Sequence, residues 1–333
     1  MSALHANNQF EIPHRYTMRL ICLIITPLLL AIVISCERQE DNSHFSNTNR
    51  VGIEVDVNWT VLTDRKLLFK SDADGDFDLY IADGYKRQIY RVTDDRHHNR
   101  YADPSPDGKT IVFAGNGDGG DFDLYIVNID GNELRQITNN DFEDYSPSWS
   151  PDGEHIAYEN DDNFGAFFRI LVLDVNSGIN KIVNPQDNFY SYGPEWSNDG
   201  TELAVFNNSD GDFDIYSLNI VEGTTRQLTN DGTSTQFPDY APGGDSIVYE
   251  SFTAKDGWQL WTSRLNQPAL PTRITYLNGE ARNPDWSPDG SQIAFEFVGP
   301  YSSDIWIIEN DGSNPIPLLS TPGRDGQPVF FKQ

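Results

Sequence analysis

Three segments set aspartates at nearly alternate positions: Asp72-Ala-Asp74-Gly-Asp76-Phe-Asp78, Asp118-Gly-Gly-Asp121-Phe-Asp123 and Asp210-Gly-Asp212-Phe-Asp214. Carboxylates spaced this way are the donors a calcium ion takes, at oxygen distances of about 2.3–2.6 Å. The EF-hand order also wants glycine at its sixth position and a bidentate glutamate at its twelfth. Counted from Asp72, those positions hold Phe77 and Asp83. A competing reading makes each Asp-Gly a tight turn and the last aspartate a cap on the strand that follows. Asp304-Ile-Trp carries such an aspartate without the rest of the segment. Ca2+ is the single cofactor these residues raise, and turn chemistry is the alternative to it.

A second group surrounds His97-His98, the best candidate pair for a transition metal. Neighbours on a strand point to opposite sides, so joint chelation needs an irregular loop. Asn99, Arg100 and Tyr101 follow directly. Comparable positions further on hold Asp144, Tyr145, Tyr190, Tyr192, Gln236, Phe237, Arg282 and Arg324. Aromatic rings with amide and guanidinium groups around a pore mouth bind peptides or sugars. The alternative is that the rings only pack over the structural units beneath them. Catalysis is not expected, because neither Gly-x-Ser-x-Gly nor His-Glu-x-x-His occurs. A metal-assisted lyase or hydrolase in a central pore is the enzymatic alternative. A cation- or glycan-binding module is another.

The elements that carry these residues repeat. The turn glycines Gly108, Gly153, Gly200, Gly244 and Gly290 lie 45, 47, 44 and 46 residues apart. A period of this length predicts a propeller of four-stranded blades. Each unit has a first strand ending at Trp149, Trp196, Trp286 or, in one unit, Tyr240. A Pro-Asp-Gly type turn follows, in which Pro presets φ and Gly takes the left-handed conformation. The second strands read Ile111-Val-Phe, Ile156-Ala-Tyr, Leu203-Ala-Val, Ile247-Val-Tyr and Ile293-Ala-Phe. Third strands such as Asp123-Leu-Tyr and Asp214-Ile-Tyr, and fourth strands ending in Thr or Ser, complete the unit. No helical period competes with this alternation.

A sixth unit begins at Leu67-Leu-Phe69 without a proper first strand; Asn58-Trp59-Thr60 has an aromatic but no turn after it. The missing phrase stands at the other end, in Gly326-Gln-Pro-Val-Phe330-Phe. The expected fold is therefore all-β, a six-bladed propeller over 58–333 closed by Pro328–Phe331 in the first blade. Closure removes the open edge that mismatched ends would expose. Antiparallel alternation puts the Asp-rich and interblade loops on one face and the Pro-Asp-Gly turns on the other. Loops on a rigid scaffold are where binding residues concentrate.

These units resemble the TolB-type WD-like propeller repeat: an aromatic, Ser-Pro-Asp-Gly, a short apolar strand, then Asp-Ile-Tyr. The resemblance covers roughly 60–333 and implies a six-bladed ring closed by a C-terminal strand. It implies Tol–Pal membership only weakly. Members of that family carry an N-terminal α/β domain that engages Tol partners, which 37–58 is too short to form. They are also soluble rather than lipid-anchored.

The net charge of −28, with 51 acidic against 23 basic residues, argues against nucleic acid as a partner. Both cysteines, Cys22 and Cys36, lie near the start. Ile21 to Ser35 is an uncharged apolar run after Arg15 and Arg19, too short for a membrane span of about 20 residues. It fits a secretory leader, and Val33-Ile34-Ser35-Cys36 resembles a lipobox. The expectation is a lipoprotein signal over 1–36, with Met18 a possible true start, lipidation at Cys36 and a flexible polar tether over 37–57. The expected place is the Gram-negative envelope: anchored to the outer membrane, periplasmic or surface-exposed. The expected state is a monomer that meets a periplasmic or cell-surface protein.

Overall fold

The computed structural model describes residues 44–46 and 53–332, apart from 96, 118–119, 162–167, 184–190, 209–210 and 231. Asp118, Asp210 and Tyr190 lie outside the described residues, as do Cys36 and the leader. The chain divides into two units, residues 1–44 and 45–333, and the propeller belongs to the second. No helix among the described residues is long and apolar enough to cross a membrane.

Six antiparallel sheets form the blades, and in blades two to five the strands follow chain order from the channel outward. Blade two runs Asn99–Pro104, Thr110–Gly115, Asp123–Asn128 and Arg135–Gln136. Blade three runs Asp144–Trp149, His155–Asp161, Phe168–Asp174 and Asn180–Ile182. Blade four starts with Ser191–Trp196, blade five with Thr235–Tyr240 and blade six with Glu280–Trp286. Blade one draws its inner strand, Asp325–Phe330, from the chain's end and continues with Lys66–Ser71, Asp78–Asp83 and Gln88–Arg91.

The second strands are apolar on both sides because each blade is packed between two others. Leu68, Leu79 and Ile81 of blade one meet Ile111, Phe113 and Val127 of blade two in one cluster. Val112 and Leu124 continue it against Trp149, Ile156 and Tyr158 of blade three. The turn phrase also has a physical reason at each step. Ser105, Ser150, Ser197 and Ser287 donate to Asp107, Asp152, Asp199 and Asp289 at 2.8, 2.5, 2.8 and 2.8 Å. Gly108 and Gly153 close those turns at φ of 65° and 71°, where a side chain is strained.

The last strand closes the ring in the first blade, as expected. Phe330 pairs with Leu67 and Asp325 with Ser71, and the Phe331 N–H donates to the Lys66 carbonyl at 3.2 Å. The strand starts three residues earlier than expected, at Asp325. One expectation is corrected at the other end. The segment at Asn58-Trp59-Thr60 is no remnant of an inner strand: Asp56–Asn58 pairs with Ile316–Ser320 on the outside of blade six. Ile53, Val55, Val57 and Trp59 enter a core with Ile305, Leu318 and Phe330. The fold thus takes in residues from 53 onward that were expected in the tether. The alternation of Ile53, Val55 and Val57 inside a polar stretch is the signal for it.

Phe330 is 1% exposed and shares its core with Trp59 and Leu67. Phe330→Ala is expected to lower stability by about 3–5 kcal/mol, read as a lower urea midpoint. Phe252→Ala, at a ring 42% exposed, is expected to change it by under about 0.5 kcal/mol.

Candidate functional site

Every inner strand breaks register once, at a residue with positive φ. These residues are Tyr101, Ser146, Gly193, Phe237, Asn283 and Gln327, with φ of 52°, 46°, 54°, 47°, 48° and 51°. The pairing shifts at each of them. A left-handed residue other than glycine costs about 1–2 kcal/mol, so five of these in register, with Gly193 as the sixth, point to a shared requirement. A bulge bends the strand and re-aims the side chains beyond it. Here the bulges line a central channel of about 130 Å³, to which all six inner strands contribute.

At the turn end of the channel stands a set of carboxylates. They occupy the single position between the repeat's proline (Ala102 in blade two) and the residue in the aromatic place: Asp103, Glu195, Asp239 and Asp285, with Ser148 and Val329 in the other two blades. Three of them reach into the next blade. Asp103 accepts the Trp149 N–H at 2.6 Å, Asp239 that of Trp286 at 2.6 Å, and Asp285 that of Phe330 at 2.8 Å. The penultimate residue enters this ring. Lys332 Nζ lies 3.0 Å from Glu195 Oε1 and 3.9 Å from Asp239 Oδ1. That Asp239 oxygen has no hydrogen bond.

Burial pushes Asp103 and Asp239 up to about 7, with the neighbouring Glu195 adding to it and Lys332 opposing it. Asp285 is held well above the ordinary carboxylate value by burial and by Asp239. Burial presses Lys332 down, but Glu195, Asp239, Asp103 and Asp285 together outweigh it and hold the ammonium well above its ordinary value. The sequence reading missed this cluster. Its signal was the residue after the repeat's proline, acidic in four of six blades.

The loop end gathers several of the residues expected there. Arg100, Tyr145, Tyr192, Gln236, Arg282 and Gly326 occupy one position, just before the bulge, in successive blades. Tyr145 packs on Phe122 and Tyr101 at 5.0 and 6.2 Å between centroids. Tyr192 packs on Phe206, and Phe206 on Phe237, at 5.4 and 5.2 Å. Arg282 lies 3.3 Å from Glu250 and 5.0 Å from the Trp258 ring centre. Arg324 binds Asp72, with its backbone N–H 2.6 Å from Oδ1 and its guanidinium 2.7 Å from Oδ2. Asn99 and Asp144 are buried supports instead. Asn99 donates to Asp95 at 2.9 Å, and Asp144 accepts from Asn140 and Asn160 at 2.9 and 2.6 Å. The two histidines part company: His97 lies 3.7 Å from Asp95, while His98 accepts the Phe77 N–H at 3.4 Å.

The Asp-rich loops show the capping chemistry. Thr93, Thr138 and Thr229 donate to Asp78, Asp123 and Asp214 at 2.7, 3.3 and 2.9 Å. The same hydroxyls accept the N–H groups of Leu79, Leu124 and Ile215. Oxygens of Asp74, Asp76 and Asp78 lie within 4.8 Å of one another and are the set that fits a hard cation. The Arg91 guanidinium binds both Asp74 and Asp78, so a positive charge of the chain itself is already at that set. Asp121 and Asp212 stand in the loops beside these caps, Asp121 half-buried and Asp212 exposed. On the turn face, Asp152, Glu154 and His155 form a second such group, exposed at the surface.

Two outcomes follow for the channel. A carboxylate whose folded pKa is raised binds protons more readily folded than unfolded. The stability linked to it is gained as pH falls from about 7 toward about 4, and lost as pH rises through that window. Asp107, drawn down to about 2 chiefly by Lys109, acts in the opposite sense only at lower pH. The urea midpoint at about pH 5.5 is therefore expected to exceed that at about pH 8 by at least ~1 kcal/mol of stability. Lys332→Met, at a side chain 48% exposed, is expected to cost about 1–3 kcal/mol at about pH 8 after allowance for screening. That loss should shrink at about pH 5.5, where the carboxylates take up protons.

Two overlapping stretches, residues 38–158 and 105–251, match the family described as TolB beta propeller domain. The Tol-Pal system protein TolB of Anaeromyxobacter dehalogenans is 30% identical over 120 residues, which are 36% of this chain and 27% of that protein. The chain thus spans about a quarter of that curated relative's length. The crystal structure of TolB from Acinetobacter baumannii superposes with a TM-score of 0.70 at 18% identity, covering 84% of this chain and 68% of that one. An oligogalacturonate lyase from Vibrio parahaemolyticus shares the fold at a TM-score of 0.55 and 13% identity, covering 82% and 83%. With well over half of its length matched and its six blades closed by the last strand, the chain belongs to the TolB β-propeller domain family.

Proposed function

We propose that this chain is a non-enzymatic, lipid-anchored propeller that binds a protein partner through its loop-rich face. The observation that carries the reading is where the blades differ. At the turn end they repeat one phrase, whose serine and aspartate side chains hydrogen-bond within the turn and whose backbone N–H groups are held by the carboxylates of the preceding blade. At the loop end, the position before each bulge holds arginine, tyrosine, tyrosine, glutamine, arginine and glycine in turn. A surface that varies on an invariant frame is suited to one asymmetric partner. The TolB relatives named above, one of them a Tol-Pal system protein, support a protein partner for this chain as well.

The second reading is a metal-assisted lyase or hydrolase in the channel, raised by the shared fold of the oligogalacturonate lyase. Its acid–base groups would be the channel carboxylates, but three of these are tied to backbone N–H groups of the next blade. Such ties favour an architectural role for them.

The lipobox resemblance of Val33-Ile34-Ser35-Cys36, after an apolar leader, supports an anchor at Cys36 in the cell envelope. Cys36→Ala is expected to move the protein from the membrane fraction to the soluble one; full retention contradicts the anchor. A photocrosslinking residue in place of Gln236 is expected to trap a discrete partner in intact cells. The same residue in place of Glu154, on the turn face, is expected to trap none, and the reverse pattern contradicts the assignment of the face.

A further inference from the structure

Basic side chains are scarce here, 23 against 51 acidic ones, yet several gather where blades one and two meet at the loop end of the channel. Lys70 pairs with Gly326, the one ring position without a side chain. Its ammonium lies 4.8 Å from the centre of the Phe77 ring, and the Arg324 guanidinium lies 5.0 Å from the same centre. Arg100, on the neighbouring inner strand, stacks its guanidinium 4.5 Å from the Phe122 ring centre. The Arg100 Nε is buried and has no acceptor. Among the described residues neither Lys70 nor Arg100 is in an ion pair, whereas Arg324 is fixed by Asp72.

This is an unbalanced arrangement. Burial presses Lys70 below its ordinary value, and Arg100 and Arg324 add to that; Glu296 and the Arg324-bound Asp72 oppose it, so Lys70 and Arg100 share the one carboxylate of Glu296. Like charges brought together in a partly desolvated place raise the free energy until an anion joins them. Glu296, whose carboxylate stands over Gly326, accepts from Asn283 at 3.0 Å and Ser303 at 2.8 Å. The fit is to a small anionic group entering from the loop side, beside the half-buried Phe77 ring.

We propose that Lys70 and Arg100, with the Asp72-anchored Arg324 beside them, form a subsite for the carboxylate of an acidic residue in a partner's peptide segment. Guanidinium and ammonium donors bind a carboxylate by charge-assisted hydrogen bonds, stronger than neutral ones. The net charge of −28 disfavours an extended polyanion, whose charges beyond the subsite meet repulsion. A single carboxylate inside a largely neutral, aromatic-bearing segment avoids that repulsion. The inference rests on the partner-binding reading only in taking the occupant to be a protein segment.

The test uses the full-length protein and two capped peptides, acetyl-Phe-Glu-Gly-amide and acetyl-Phe-Gln-Gly-amide, compared by saturation-transfer NMR at low salt. The Glu peptide is expected to bind at least about five-fold more tightly, a difference of ~1 kcal/mol. That preference should fall toward unity in Lys70→Met and in Arg100→Met, both of which keep an apolar stem over the ring. Arg100→Lys, which keeps the charge and serves if Arg100→Met does not fold, should retain an intermediate preference. Equal binding of the two peptides, or a preference that survives both methionine variants, overturns the subsite. Inorganic phosphate displacing the Glu peptide at equal or lower concentration overturns the peptide occupant and points to a free anion.

Crosslinking from position 236 separates the two readings. A partner trapped as well by the Lys70→Met protein as by the unaltered one overturns the subsite and leaves partner binding intact. A Glu preference in the unaltered protein that both methionine variants lose, with no trapped partner, supports the subsite and counts against the partner-binding reading.

Discussion

The structure depends on carboxylates that hold the next blade by its backbone. Asp103, Asp239 and Asp285 each accept an N–H from the residue in the aromatic place one blade on, at 2.6–2.8 Å. Hydrophobic packing between blades is strong but non-directional; a charge-assisted hydrogen bond fixes rotation and height. The positive-φ bulge before each carboxylate makes the reach possible, and its strain of about 1–2 kcal/mol per residue is sustained by the contacts it sets up. The last of these bonds runs from Asp285 to Phe330, so it also seats the strand that closes the ring.

This ring of acids needs a counter-charge, and the chain supplies it from its own end. Lys332 lies beyond the closing strand and returns its ammonium to Glu195, three blades away. Closure of the backbone and neutralisation of the channel are thus properties of the same few residues. At the turn end of the channel one phrase repeats from blade to blade. At the loop end the position before the bulge changes among arginine, tyrosine, glutamine and glycine, and the Nε atoms of Arg100 and Arg282 are buried without an acceptor. The division of labour between the two faces follows from that contrast, not from the mere presence of loops.

Much of the fold was legible because the repeat writes its own turn chemistry. Ser-Pro-Asp-Gly announces the inner turn, and Gly326-Gln-Pro-Val-Phe330 announces a strand lacking its partners. The addition of Asp56–Asn58 to blade six was not read, because three alternating apolar residues in a polar stretch resemble a tether until their partners are known. The site was half legible. Arg100, Tyr101, Tyr145 and Arg282 do meet around the channel mouth, whereas Asn99 and Asp144 proved to be buried hydrogen-bond supports. The channel acids were overlooked because one carboxylate per repeat looks like surface aspartate; convergence appears only when six copies face one axis. Lys70 was passed over for the same reason, as it sits on a core strand and acquires meaning only beside Arg100 and Gly326.

Native-state hydrogen exchange tests this account most directly. If the closing strand and the interblade carboxylates hold the disc as one unit, the amides of Trp149, Trp286 and Phe330 should exchange only through global unfolding, with equal free energies of opening. A Phe330 amide that exchanges by local opening, several kcal/mol below the Trp149 and Trp286 amides, would contradict it.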